Sequence, residues 1–296
     1  MKVNYNFAGI NIGINSDISY KESEPFYDFI SSKTNKNDID IDLICSNFQI
    51  INTKGNMVFE EIFKKIYKIN GVVYREFYCV GDKKPASCFI EKEENKKYKC
   101  YLYNNKKKDY NTFNIFSMVG FEYLLNLKGA IILHSSQILH NGKSILFSAP
   151  SQTGKSTQAD LWVKYENAEL INGDRSAIRK VDGVWTSYGL PYAGSSNIYK
   201  NIASPIGDII ILRQGKKNEI RKATKMEAFK YIYSETTVNI WDEEFINRTS
   251  DIIEGLVNEV PVYMYYCLPD KSAVDKLKGV LEEEVYGTTT NNEVFI

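Results

Sequence analysis

The segment Ser151-Gln152-Thr153-Gly154-Lys155-Ser156-Thr157 constrains this chain more than any other. It ends in Gly-Lys-Ser and lies between an apolar run, Ser144 to Ala149, and a stretch with helical spacing, Lys155 to Tyr165. The tripeptide alone arises often by chance. A strand, a loop and a helix in that order give it mechanical meaning, because successive backbone N–H groups and a helix N-terminus then face one anion. On that reading Ser151, Gln152, Thr153, Gly154 and Thr157 shape a phosphate cradle, Lys155 reaches terminal phosphates, and the Ser156 hydroxyl coordinates Mg²⁺.

The flanks of the loop carry the remaining chemistry. Asn141-Gly142 between two apolar runs, Ala130–Leu139 and Lys143–Ala149, predicts a hairpin whose second strand feeds the loop. After the helix, Ala168–Asn172 reads as a strand ending at Gly173-Asp174-Arg175, where a phosphate-loop enzyme places a Mg²⁺ anchor or a base. Asp174 therefore has two functional readings, beside a third as an ordinary turn residue. His134, in an apolar run, reads either as a core histidine or as a proton-transfer group. Arg175 is suited to neutralising phosphate charge or to pairing with a core carboxylate, and Arg213 is similarly ambiguous. His140, at the hairpin tip, reads as solvated and structural.

Further along, Asp182-Gly183 predicts a second hairpin over Ser176–Ser187, followed by a glycine-rich candidate substrate loop, Gly189–Asn197. The run Ile209–Leu212 reads as a buried strand. Thr224 with Glu227 has the spacing of a capping box, opening a helix to Glu235. A helix over Glu243–Asn258, a strand over Val260–Cys267 and a final helix to Glu283 complete this part.

The first part of the chain reads as strand-rich. Val3–Ile14, Asp38–Ile44, Val72–Val80, Phe89–Ile90 and Lys97–Tyr103 have strand character. Ser23–Ser32 predicts a short helix with Pro25 in its first turn, and Ile115–Leu127 a connecting helix. The acid row Asp38, Asp40, Asp42 is expected on one strand face, as a solvated edge blunted against aggregation rather than a cation site. The run Lys106-Lys107-Lys108 reads as a solvated loop.

Composition bounds the function. At 296 residues there is room for about two domains. Lys+Arg and Asp+Glu both number 37, which points away from nucleic acid and anionic membranes as partners. The 5 cysteines form no C-x-x-C pair, so zinc ribbons and redox dithiols are not expected, and buried free thiols in a reducing cytoplasm are. No signal-peptide core or membrane-length apolar stretch is seen.

From His134 to Arg175 the chain resembles the kinase domain of HPr kinase/phosphorylase, and more closely the smaller bacterial HPr-kinase-like proteins. That core is related to ATP-dependent phosphoenolpyruvate carboxykinase. The motifs that carry the resemblance are Leu133-His134-Ser135, Ala149 through Thr157, and Asn172-Gly173-Asp174-Arg175. Tyr188-Gly189-Leu190-Pro191 and Val260-Pro261-Val262-Tyr263 add to it loosely. The chain departs from the family at Ala149 and Gln152, where the loop has glycines, and at Gly173, where the bifunctional enzyme has the first of two aspartates.

The resemblance implies an α/β fold: an HPr-kinase/carboxykinase-like P-loop core with a mixed sheet over residues 127–285, a strand-rich α+β domain over 1–126, and a tail at 286–296. It implies an ATP- and Mg²⁺-dependent kinase acting on a hydroxyl of a peptide, protein or small molecule, with Asp174 or His134 orienting the nucleophile. A nucleotide-binding accessory module without phosphotransfer, for instance in peptide maturation, is the alternative that Gly173 motivates. A carboxykinase-like enzyme ranks third. Homo-oligomerisation stays open.

Overall fold

Two-residue turns in which both residues take positive φ punctuate the chain: Ala8-Gly9, Asn70-Gly71, Asn95-Lys96, Asn141-Gly142 and Asp182-Gly183. Such turns match the right-handed twist of paired strands, so each one joins neighbours in a hairpin. The computed structural model describes residues 1–32, 36–48, 51, 57–103 and 110–290. The Lys106-Lys107-Lys108 run lies outside them. The result is a mixed α/β protein with two eight-stranded sheets, divided into two units. Residues 1–130 and 238–249 make up the first unit, and the remaining described residues the second.

The first sheet contains β1 (Lys2–Phe7), β2 (Ile10–Ser16), β3 (Ile39–Ser46), β4 (Met57–Glu60), β5 (Lys64–Ile69), β6 (Val72–Phe77), β7 (Ser87–Glu94) and β8 (Lys97–Tyr103). Their order is β1-β2-β3-β8-β7-β6-β5-β4. The aromatic residues are core filler: the ring of Phe7 meets those of Phe26, Phe29, Phe116 and Phe121 at centroid distances of 6.1, 5.3, 5.0 and 4.9 Å. Burying such rings supplies both area and edge-to-face contacts.

Three expectations need correction here. The acid row is not on an edge: β3 runs between β2 and β8, parallel to both. Its acids accept amide hydrogens instead, Asp42 from Asn15 at 2.9 Å, Asp40 from Asn37 at 2.8 Å and Asp38 from the Asn11 backbone at 2.8 Å. The connecting helix is broken into α1 (Thr112–Met118) and α2 (Phe121–Asn126). Gly120 separates them at φ 64°, and a Cβ there would lie 2.6 Å from the Arg75 guanidinium. Of the five thiols only Cys88 and Cys100 are buried.

Arg75 explains the break. Its side chain is 2% exposed and donates to Glu91 at 3.0 Å and Glu122 at 2.6 Å, with the Trp241 ring 5.7 Å away. A helix continuing through position 120 with a side chain would displace this ion cluster.

The second sheet contains β9 (Ala130–His140), β10 (Lys143–Ser148), β11 (Glu169–Asn172), β12 (Arg175–Val181), β13 (Val184–Gly189), β14 (Ala203–Gln214), β15 (Glu219–Lys222) and β16 (Val262–Cys267). Its order is β10-β9-β12-β13-β14-β16-β15, with β11 on β9. An additional parallel pairing of β10 with β14 closes five of these strands into a ring. The helices are α3 (Lys155–Glu166), α4 (Lys225–Glu235), α5 (Glu243–Glu259) and α6 (Lys271–Thr290). The predicted capping box at Thr224 and Glu227 opens α4.

Alternation along β14 sorts the core into two faces. Ile209 and Ile211 pack with Ala228 and Ile232 of α4 and Ile253 and Leu256 of α5. Ile210 and Leu212 pack with Ala159 and Trp162 of α3 and Val274 and Leu277 of α6. No helix among the described residues is long and apolar enough to cross a membrane.

Arg75→Met should leave buried Glu91 and partly buried Glu122 without their cation. A loss of about 3–5 kcal/mol is expected in chemical denaturation; a change within error would show that the cluster contributes nothing to folding.

Candidate functional site

Three parallel strands set the place of the site. β10 and β14 run parallel, as do β14 and β16, so their C-terminal ends lie on one side of the sheet. β10 ends at Ser148, and the loop that follows delivers the chain to α3.

Gly154 caps α3 at φ 116°, a conformation that favours glycine, and no side chain bonds to the helix start. The first intrahelical bond runs from the Gln158 N–H to the Gly154 carbonyl at 2.9 Å. The amides before it are the orphan donors of a helix N-terminus. Ser156 and Thr157 are exposed on that first turn, while Ser151 and Gln152 are exposed in the loop. Gln152 takes φ 64°, which costs about 1–2 kcal/mol for a residue with a Cβ. Its carbonyl accepts from the Gln214 side chain at 3.3 Å, which ties the strained position to the end of β14.

Lys155 is 7% exposed and its ammonium donates to the Ala149 carbonyl at 2.7 Å and the Pro150 carbonyl at 3.3 Å. The side chain therefore folds over its own loop. Burial pulls the ammonium below the ordinary lysine range, with Glu235 and Asp174 acting in the opposite sense.

The Asp174 turn hangs on Asn172. This buried side chain accepts from the Asp174 and Arg175 amides, both at 2.9 Å, and donates to the Leu190 and Tyr192 carbonyls at 2.7 and 3.2 Å. The loop from Gly189 to Asn197 is thereby held against the turn. A Cβ on Gly194 would lie 2.9 Å from Asp174, and one on Gly173 would collide with the Ser196 side chain. Position 173 has no room for a carboxylate unless Ser196 moves.

His134 lies at the centre of the remaining groups. Its Nε2 is 3.5 Å from Asp174 Oδ1 and its Nδ1 is 3.1 Å from Glu235 Oε2. Arg175 reaches the other oxygen of Asp174 at 3.3 Å and donates to the Thr237 hydroxyl at 3.1 Å. The Ser148 hydroxyl donates to the His134 carbonyl at 3.1 Å, linking this strand to the start of the loop. His134, Asp174 and Arg175 are thus brought together, and Lys155 lies close enough to feel Asp174 and Glu235. Arg213 stacks on the Tyr231 ring at 4.5 Å and forms no ion pair among the described residues. His140 is half-buried rather than solvated, with its ring edge-on to Trp162 at 5.1 Å; burial lowers its pKa.

Sequence reasoning missed Glu235. It ends α4, a hundred residues along the chain from His134, and in sequence it is one acid among many.

No family model and no curated protein sequence matches the chain. Among solved structures it is similar to the HPr(Ser) kinase/phosphatase of Coxiella burnetii, at 11% identity over 55% of this chain and 99% of that one, with a TM-score of 0.33. A superposition this loose does not establish a common fold.

Gly173→Ala is expected to cost about 1–3 kcal/mol through overpacking against Ser196. Adding Ser196→Gly should recover most of that loss in urea titration. Simple additivity of the two substitutions would show that the positions do not meet.

Proposed function

We propose that the chain is an ATP- and Mg²⁺-dependent kinase with an HPr-kinase-like P-loop core, transferring the γ-phosphoryl group to a hydroxyl of a peptide, protein or small molecule. The observation that carries this reading is the state of the loop: a helix start with no side-chain cap, beside a lysine held on the loop carbonyls at 2.7 and 3.3 Å. Orphan amides and a nearby ammonium suit an oligophosphate. On nucleotide entry Lys155 exchanges carbonyl partners for phosphate oxygens, and the loop amides take the β- and γ-phosphates.

The donor chemistry fits Mg²⁺. Ser156 and Asp174 offer hard oxygen ligands, and no group of three or more His, Cys, Asp or Glu suited to a metal occurs among the described residues. A cation that arrives with nucleotide phosphates and keeps most of its waters needs no all-protein cage. Ser156 and Asp174 would hold it there, and it would neutralise charge on the transferring group.

In the transfer, the acceptor oxygen bonds to the γ-phosphorus as the bond to the bridging oxygen breaks and its electrons pass to ADP. The acceptor proton goes to Asp174 or, by way of Asp174, to the His134 imidazole beside it. Positioning and charge neutralisation do most of the work in such reactions. Gly173 supports the competing reading, a nucleotide-binding module without transfer, because the turn carries one carboxylate and the Ser196 side chain stands where a second would begin.

Lys155→Ala should weaken ATP·Mg²⁺ binding by about 10- to 100-fold in calorimetry, the weight of one or two charge-assisted hydrogen bonds. Asp174→Asn should retain nucleotide while slowing phosphate transfer by about 100-fold or more. Wild-type affinity in Lys155→Ala would remove the basis of the reading. Tight binding by the wild-type chain with no transfer to any hydroxyl, water included, would favour the accessory module.

A further inference from the structure

We propose that Glu235 is the positioning residue for His134, and that it supplies from α4 the second carboxylate for which position 173 has no room. The inference rests on the kinase reading for its functional meaning, but its geometry stands apart from that reading.

The chain leaving α4 lies against β9 in antiparallel fashion. Leu133 and Thr236 form a β-bridge, and the Thr237 N–H donates to the Ile132 carbonyl at 3.0 Å. That bridge sets the next residue of β9, His134, beside the last residue of α4, Glu235, and their side chains meet at 3.1 Å. The Thr236 hydroxyl also bonds back to the Ile232 carbonyl at 2.7 Å, which holds the last turn of α4. The Glu235 side chain is 14% exposed, against 30% for Asp174. It is the better buried of the two carboxylates.

The consequence is chemical. A carboxylate accepts only, so Nδ1 must carry a hydrogen to bond it. Asp174 stands 3.5 Å from Nε2, too far for a hydrogen bond, so Glu235 is the acid that bonds the ring and selects the nitrogen that carries the hydrogen. Without that acceptor the imidazole is free to turn about its last torsion, and the atom facing Asp174 is no longer defined. Asp174 from the β11–β12 turn, Lys155 from α3 and Arg175 from β12 complete the charged groups around the ring.

The chain has only 2 histidines, which makes the test direct. Imidazole NMR of the isotope-labelled full chain at one pH reads His134, with His140 against Trp162 as the internal control. Glu235→Ala should move the His134 ring resonances away from the Nδ1–H form and leave those of His140 in place. Glu235→Gln keeps an acceptor oxygen and should restore the wild-type ring signature. Hydrolysis of ATP, with water as the acceptor, should fall about 100-fold in Glu235→Ala and largely recover in Glu235→Gln. Unchanged His134 resonances in Glu235→Ala would overturn the proposal, as would a Glu235→Gln chain that behaves like the alanine variant. If the ring responds as expected but the wild-type chain neither binds nor hydrolyses ATP, the kinase reading fails and the hold of Glu235 on His134 stands.

Discussion

The side chain of Asn172 is the interaction on which this site depends. A buried amide can accept twice and donate twice, and Asn172 does both: it takes the two amides of the Asp174–Arg175 turn and gives to the two carbonyls of the following loop. Each of those backbone groups would otherwise need another partner. One residue thus fixes the direction of Asp174, the path of the loop past Pro191, and the contact of Gly194 with the Asp174 side chain. An aspartate at 172 could accept but not donate, and a leucine could do neither.

With that turn fixed, the site is a balance of charge. Asp174 and Glu235 contribute two carboxylates, and Lys155 and Arg175 two cations, around an imidazole that contacts both acids. Lys155 is bonded to carbonyls rather than to either acid, so it can leave its partners for an anion without stranding a charge. Coulomb interactions at these separations are worth far more near a protein surface than in bulk water. Arrival of a phosphate chain would therefore shift the balance, and a cation accompanying it would restore it.

Much of the fold was legible because its signals are local. Asn141-Gly142 and Asp182-Gly183 specify tight turns by their own backbone preferences, Thr224 and Glu227 find each other across three residues, and Ile209–Leu212 has no choice but burial on both faces. The loop around Lys155 was legible for the same reason. What was not legible is set by partners distant in sequence. The acids of β3 looked like an edge because alternation tells which face is wet, not which strands lie alongside. Gly120 broke a helix for the sake of Arg75, and nothing in Ile115–Leu127 announces a guanidinium from β6.

Gly173 and Glu235 show the same limit from two sides. Viewed along the chain, Gly173 leaves Asp174 as the single carboxylate of its turn. In space, the position is occupied by Ser196, and a carboxylate stands on the far side of His134 instead, carried in by the register of α4's exit against β9. A carboxylate next to Asp174 would compete with it for one cation and raise its own cost of ionisation. A carboxylate across the imidazole avoids that repulsion, since the ring separates the two charges and bonds the distant one. The two arrangements are therefore not equivalent substitutions. The one present here couples the second acid to the histidine rather than to Asp174.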